Sequence, residues 1–73
     1  MQSEDIDNRF TYHPPTSAQV PIYEEVRTRC RELAHWLNDI VPEGREQSLA
    51  VTHLEETVFW ANAGIARQAL PDR

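Results

Sequence analysis

Phe10-Thr11-Tyr12-His13-Pro14-Pro15 places three rings beside two prolines near the start of a 73-residue chain. Proline fixes its own backbone torsion and restricts the residue before it, so the rings of Tyr12 and His13 have little freedom left to lose on meeting a flat ligand. Flexible linkers are normally built from small polar residues, and a ring-rich strip is a poor way to make one. Stacking a nucleobase on an aromatic ring contributes roughly 1–3 kcal/mol and needs no sequence reading. Tyr12, His13 and Pro14 are therefore candidate ligand contacts. The plainer alternative is that Phe10 and Tyr12 pin an arm to the rest of the fold as ordinary core. Phe10 fits that description better, whereas Tyr12, with its hydroxyl and polar neighbours, fits either equally.

The second chemical resource is arginine. All seven basic residues are arginines, at positions 9, 27, 29, 31, 45, 67 and 73. The planar guanidinium suits bidentate contact with phosphate and stacking on rings, although a GC-rich genome gives the same bias. Arg27 and Arg31 stand four residues apart, so they share one face of a helix, beside its apolar stripe and separated from it only by Ala34. The competing reading is a solvated face with local pairs, such as Glu24 or Glu25 with Arg29 and Arg31. Arg67 follows a run of small apolar residues, where a merely solubilising charge is less needed; its plainer role is to satisfy a helix C-terminus.

Catalytic arrangements are weak by comparison. Glu55 and Glu56 are adjacent on a helix and point apart, unlike a working acid and base. His53 and Glu56 have three-residue spacing, which on a hairpin reads more simply as a surface hydrogen bond than as a metal site. There is no glycine-rich phosphate loop and no nucleophile with an evident base. Cys30 is the single cysteine, and His13, His35 and His53 show no spacing that converges on it. No enzyme activity, metal or cofactor is expected.

The elements that must position these groups are helical. Residues 1–17 read as an arm with at most a short turn around Ser3 to Asn8, where Ser3 could cap and Glu4, Asp5 and Asp7 favour an N-terminus. Thr16 and Ser17 offer a cap to the next helix, and Pro21 is tolerated in a first turn. Val26, Cys30, Leu33, Leu37 and Ile40 recur at spacings of four and three, which predicts a helix over about 18–40. Pro42-Glu43-Gly44 turns the chain. Val51, Leu54, Val58, Ala61 and Ile65 predict a second long helix over about 46–69. A short connection between helices of similar length favours an antiparallel hairpin, here over residues 18–73. The expected fold is all-α: an N-terminal arm plus a two-helix hairpin that assembles into a homo-oligomer.

Oligomerisation follows from the surplus of apolar surface. Phe59, Ala63, Ala66 and Leu70 fall on a second face of the second helix, with Leu49 and Trp60 beside it. Ala61, Ala63, Gly64 and Ala66 are small enough for backbones to approach closely, so neighbouring protomers are expected to pack here; the alternative is the arm of the same chain folding over this face. A chain of this length has room for one small domain and buries too little surface alone to be more than marginally stable.

Charge narrows the partners. A net charge of −5 argues against grip on long nucleic acid, which depends on neutralising many phosphates, but not against a small anion. No apolar run approaches bilayer length, and the acidic start, Met1-Gln2-Ser3-Glu4-Asp5, does not resemble a secretory signal, so a cytoplasmic protein with no membrane partner is expected. Pairing the helices about the turn near residue 43 puts Arg67 level with roughly residue 19, next to the ring-rich strip. Arg27 then lies about eight residues, or ~12 Å, further along. A ligand with two bases and two phosphates could span that interval, within one hairpin or across an interface.

The run Phe10 to Pro15, followed by Tyr23 and Arg27 and by the closing Trp60-Ala61-Asn62-Ala63-Gly64-Ile65-Ala66-Arg67, resembles the small phage anti-CBASS proteins that act as cyclic-oligonucleotide sponges. The resemblance covers about residues 9–68, and it is the order and spacing of the short motifs that make it specific. It implies a helical homo-hexamer, in the cytoplasm of an infected bacterium, that sequesters cyclic dinucleotides such as cyclic GMP-AMP without cleaving them and so deprives the CBASS effector of its signal. The resemblance puts Tyr12 at the position that stacks on a base and Arg27 and Arg67 at basic positions, in a pocket between the N-terminal parts of two protomers. It further implies a separate cyclic trinucleotide site, for which Arg31 and His35 are the candidates. Arginine at position 27 keeps the charge of the lysine common there, and His35 stands where some relatives are acidic. A helical oligomeric adaptor for protein–protein contacts is the rival reading from another class.

Overall fold

The computed structural model of the protein describes residues 1–68. Three helices follow one another: α1 (Ser3–Phe10), α2 (Val20–Ile40) and α3 (Arg45–Arg67), and the described residues contain no strand. The packing between helices is that of α2 against α3, which run antiparallel about the Pro42-Glu43-Gly44 turn.

Local chemistry explains the boundaries of the hairpin. Pro21 sits in the first turn of α2, where its missing N–H has no intrahelical partner to lose. The chain already coils at Thr16–Gln19, because Thr16 and Gln19 form a reciprocal capping box. The Gln19 N–H donates to Thr16 Oγ1 at 3.2 Å, and the Thr16 N–H donates to Gln19 Oε1 at 2.9 Å. At the other end, the Val41 N–H closes α2 onto the Leu37 carbonyl. Gln47 then fastens the turn by donating its amide Nε2 to the carbonyls of Asn38 and Val41 at 3.1 and 3.0 Å. α3 ends at Arg67, with the Gln68 N–H on the Gly64 carbonyl; the expected end at 69 and the expected apolar residue Leu70 lie outside the described residues.

The register agrees with pairing about residue 43. Gln19 Nε2 donates to the Ile65 carbonyl at 2.9 Å, which puts Arg67 beside the coil that leads into α2. The seam, however, is displaced from the expected stripe. Val26, Cys30 and Leu37 are half-buried as anticipated, but Leu33 and Ile40 remain 42% and 54% exposed. Ala34 and Val41 take their places, since 26, 30, 34, 37 and 41 follow the 3.6-residue period more closely past Cys30.

α1 is the larger correction. In place of a short turn ending near Asn8 there are two full turns, and they take in Phe10. Ser3 is the first helical residue and not the cap; the cap position is Gln2, which makes no side-chain capping bond. Phe10 does not anchor the arm in a core, because 86% of its surface is exposed.

No side chain among the described residues is fully buried. The chain exposes 6099 Å², whereas a compact monomer of its 8.5 kDa exposes about 4,700 Å². Its radius of gyration is 15.4 Å, against about 11 Å for a compact chain of this length. Much of the surplus is apolar: Phe59, Trp60 and Trp36 all stand open, so the arm does not fold over the second face of α3.

Candidate functional site

The end of α1 organises the ring-rich strip. A helix leaves its last four carbonyls without intrahelical donors, and three side chains supply donors here. Thr11 Oγ1 donates to the Asp7 carbonyl, His13 Nε2 pairs with the Asn8 carbonyl at 2.9 Å as an N–H donor, and Arg67 Nη2 donates to the Arg9 carbonyl at 3.4 Å. Thr11 leaves the helix in extended backbone, φ −90° and ψ 139°. Successive side chains of an extended segment point to opposite sides. With Thr11 and His13 both turned onto the end of α1, Tyr12 is turned outward, and it is 80% exposed with no hydrogen bond of its own among the described residues. The strip is thus a pinned platform from whose extended part Tyr12 projects; Phe10, its other open ring, closes α1.

Arg67 belongs to the same end of the molecule. Its bond to the Arg9 carbonyl crosses from α3 to α1 and engages one of five guanidinium N–H donors, so most of its capacity faces solvent. Among the described residues it forms no ion pair. The C-terminal placement on α3 also agrees with the plainer reading of a cation at the negative end of a helix.

Arg27 stands where two shallow grooves meet. One, of ≈ 260 Å³, is lined by Pro15, Val20, Tyr23, Glu24 and Arg27, and so joins the last residue of the strip to α2. The other, of ≈ 270 Å³, runs along the seam between α2 and α3 and brings Arg27 and Arg31 together opposite Glu55. Ala34, Val51 and Leu54 line that second groove too. Neither arginine has a carboxylate within ion-pair distance among the described residues. The local pair that forms on this helix is Glu25 with Arg29, at 3.0 Å.

The remaining candidates are less gathered. His35 is exposed one turn beyond Arg31 and lines neither groove. Within a single chain, Tyr12 lines neither groove, so the strip and Arg27 are joined only through Pro15. His53 and Glu56 make a solvent-exposed pair at 3.7 Å, and no group of metal-binding side chains gathers among the described residues. A larger depression, ≈ 520 Å³, is lined by Glu24, Glu25 and Glu32 with Arg29 and is a poor receptor for an anion.

Gln19 is the structural residue that periodicity did not single out. The signal was present as Thr16-Ser17-Ala18-Gln19, the T-x-x-Q form of a capping box, but its bond to Ile65, 46 residues away, has no sequence signature.

Residues 2–66 match the family model described as Acb2/Tad1, hairpin domain. Comparison with curated proteins and with solved structures finds no match.

Proposed function

Because the chain belongs to the Acb2/Tad1 hairpin family, in which Acb2 is the anti-CBASS cyclic-nucleotide sponge, we propose that it binds cyclic dinucleotides such as cyclic GMP-AMP and withholds them from the CBASS effector without cleaving them. Tyr12 stacks on a base, Arg67 and Arg27 neutralise phosphates, and His13 and Pro14 hold the strip at the edge of the ligand. The observation that carries this reading is the pinned end of α1. Three side-chain bonds fix the backbone on both sides of an outward ring, and one of them comes from the arginine that would meet the phosphate. A platform ordered before the ligand arrives loses less entropy on binding.

Completion of the pocket requires a second protomer in this reading, since Tyr12 lines neither groove that Arg27 lines in one chain. Three features of α3 support self-association. Phe59 and Trp60 are 60% and 73% exposed. Among the described residues a Cβ placed on Gly64 would meet nothing within 4 Å, so they give no reason for a glycine that weakens a helix interior by roughly 0.5–1 kcal/mol relative to alanine. Asn62 Oδ1 is buried without a hydrogen-bond donor, a deficiency that a neighbouring chain can repair. The proposed assembly is a hexamer. No helix among the described residues is long and apolar enough to cross a membrane, and the proposed place of action is the cytoplasm of the infected host. Arg31, in the seam groove, and His35 are proposed for a second, trinucleotide site.

Calorimetric titration with cyclic GMP-AMP tests the assignment. Tyr12→Ala and Arg67→Ala should each weaken binding markedly while gel filtration shows the assembly intact. Unchanged affinity in both variants contradicts it. An adaptor would instead retain no cyclic nucleotide.

A further inference from the structure

The side-chain amide of Gln19 both accepts and donates, and its backbone N–H adds a bond to the Thr16 hydroxyl. Its Oε1 accepts the Thr16 N–H at 2.9 Å, its backbone N–H reaches Thr16 Oγ1 at 3.2 Å, and its Nε2 donates to the Ile65 carbonyl at 2.9 Å. Thr16 directly follows Pro14-Pro15, so the first bond holds the far end of the Tyr12 strip, and the second completes the cap. Ile65 is two residues before Arg67, so the third holds the last turn of α3. One half-buried amide thus ties the segment that carries Tyr12 to the turn that carries Arg67.

We propose that Gln19 is the positioning residue of the ligand site: it sets the separation of Tyr12 and Arg67 without touching the ligand. This rests on the reading above, in which those two residues share a cyclic dinucleotide. The Arg67 bond to the Arg9 carbonyl closes the same end from the other side. The strip between Arg9 and Thr16 is therefore held at both ends through the last turn of α3. Loss of the Gln19–Ile65 bond leaves one end of that strip attached only to α2, and small displacements of binding groups cost affinity steeply.

An amide is needed because the two jobs require opposite hydrogen-bonding character. Glutamate keeps the acceptor for the Thr16 N–H and suits the positive N-terminal end of α2, so the capping box survives in Gln19→Glu. It cannot donate to Ile65, and its charge is repelled by the carbonyls at the end of α3. Thr16→Ala does the reverse: it removes the hydroxyl of the capping box and leaves the Gln19–Ile65 bond in place.

The test compares the full-length wild type, Gln19→Glu and Thr16→Ala by titration with cyclic GMP-AMP, by gel filtration and by amide hydrogen exchange of the ligand-free proteins. Gln19→Glu should bind at least about tenfold more weakly, as expected for a displaced binding group. It should exchange faster at Thr16 and at Gln68, the hydrogen-bonded amides on either side of the lost tie, and keep wild-type helicity and assembly size. Thr16→Ala should lose thermal stability yet bind within about twofold of wild type, because its loss is a cap and not the tie. Wild-type affinity in Gln19→Glu overturns the proposal. So does a general loss of helicity or assembly in that variant, which would make Gln19 a folding residue. If wild type itself fails to bind the dinucleotide, the site reading fails and the positioning role falls with it, an outcome distinct from either of the others.

Discussion

Tyr12 on the strip and Trp60 on α3 are both aromatic and both open, at 80% and 73% exposure, yet their surroundings differ. Tyr12 is flanked by residues tied to the end of α1 by hydrogen bonds, with a guanidinium at the same end. Trp60 and its neighbour Phe59 are followed by Ala61, Ala63 and Gly64, and the one notable polar group close by, Asn62 Oδ1, lacks a partner. A ring held by polar ties beside a cation suits a small charged ligand. A ring among small apolar residues suits another helix. Exposure alone does not tell these uses apart; the hydrogen-bonding of the neighbours does.

Breaking the apolar region should have the largest effect. Phe59→Asp puts a charge on the proposed contact face, and analytical ultracentrifugation should find the assembly reduced to monomers that unfold without a sharp transition, since one chain has no fully buried side chain among its described residues. Gly64→Leu should act in the same direction, because its side chain would fill space that the described residues leave empty. If either variant assembles as wild type does, the two regions do not divide as argued.

Breaking the polar region should leave the assembly whole and remove the ligand. Arg67→Ala loses both a phosphate contact and a cap on α1, and an affinity loss of about 100-fold is expected for a charge-assisted pair of about 1.5–3 kcal/mol together with a looser strip. Tyr12→Ala removes only the stacking, worth roughly 1–3 kcal/mol. Tyr12→Phe keeps the ring and should stay within about twofold of wild type, because stacking needs the face and not the hydroxyl. A severe loss in Tyr12→Phe would mean that the hydroxyl carries the contact. Arg29→Ala marks the lower bound: its partner Glu25 is on the surface, and such a pair contributes about 0.5 kcal/mol or less to stability, with no change in affinity expected.

Much of this was legible in the sequence, and the exceptions have physical causes. The hairpin and its register follow from period and turn chemistry, which are local. Leu33 and Ile40 were misassigned to the seam because a strict alternation of fours and threes drifts from the 3.6-residue period, and by Ala34 the difference decides which side chain faces α3. The length of α1 was missed because eight residues are marginal as an isolated helix, and its C-terminal donors come from Thr11, His13 and, 58 residues away, Arg67. Phe10 was read as an anchor from its ring alone, whereas its open position depends on where α1 ends. The strip and Arg67 stood out as chemistry-bearing residues, and the tie that Gln19 makes between them did not, because half of it is a long-range bond to a backbone carbonyl.

The central claim is that the protein holds a cyclic dinucleotide intact. The direct measurement is to incubate it with cyclic GMP-AMP, remove unbound nucleotide, denature the protein by heat and identify what is released by mass spectrometry. Stoichiometric release of unaltered cyclic GMP-AMP from wild type, and none from Arg67→Ala, is the expected result. Release of a linear product, or the absence of any retained nucleotide, contradicts the account.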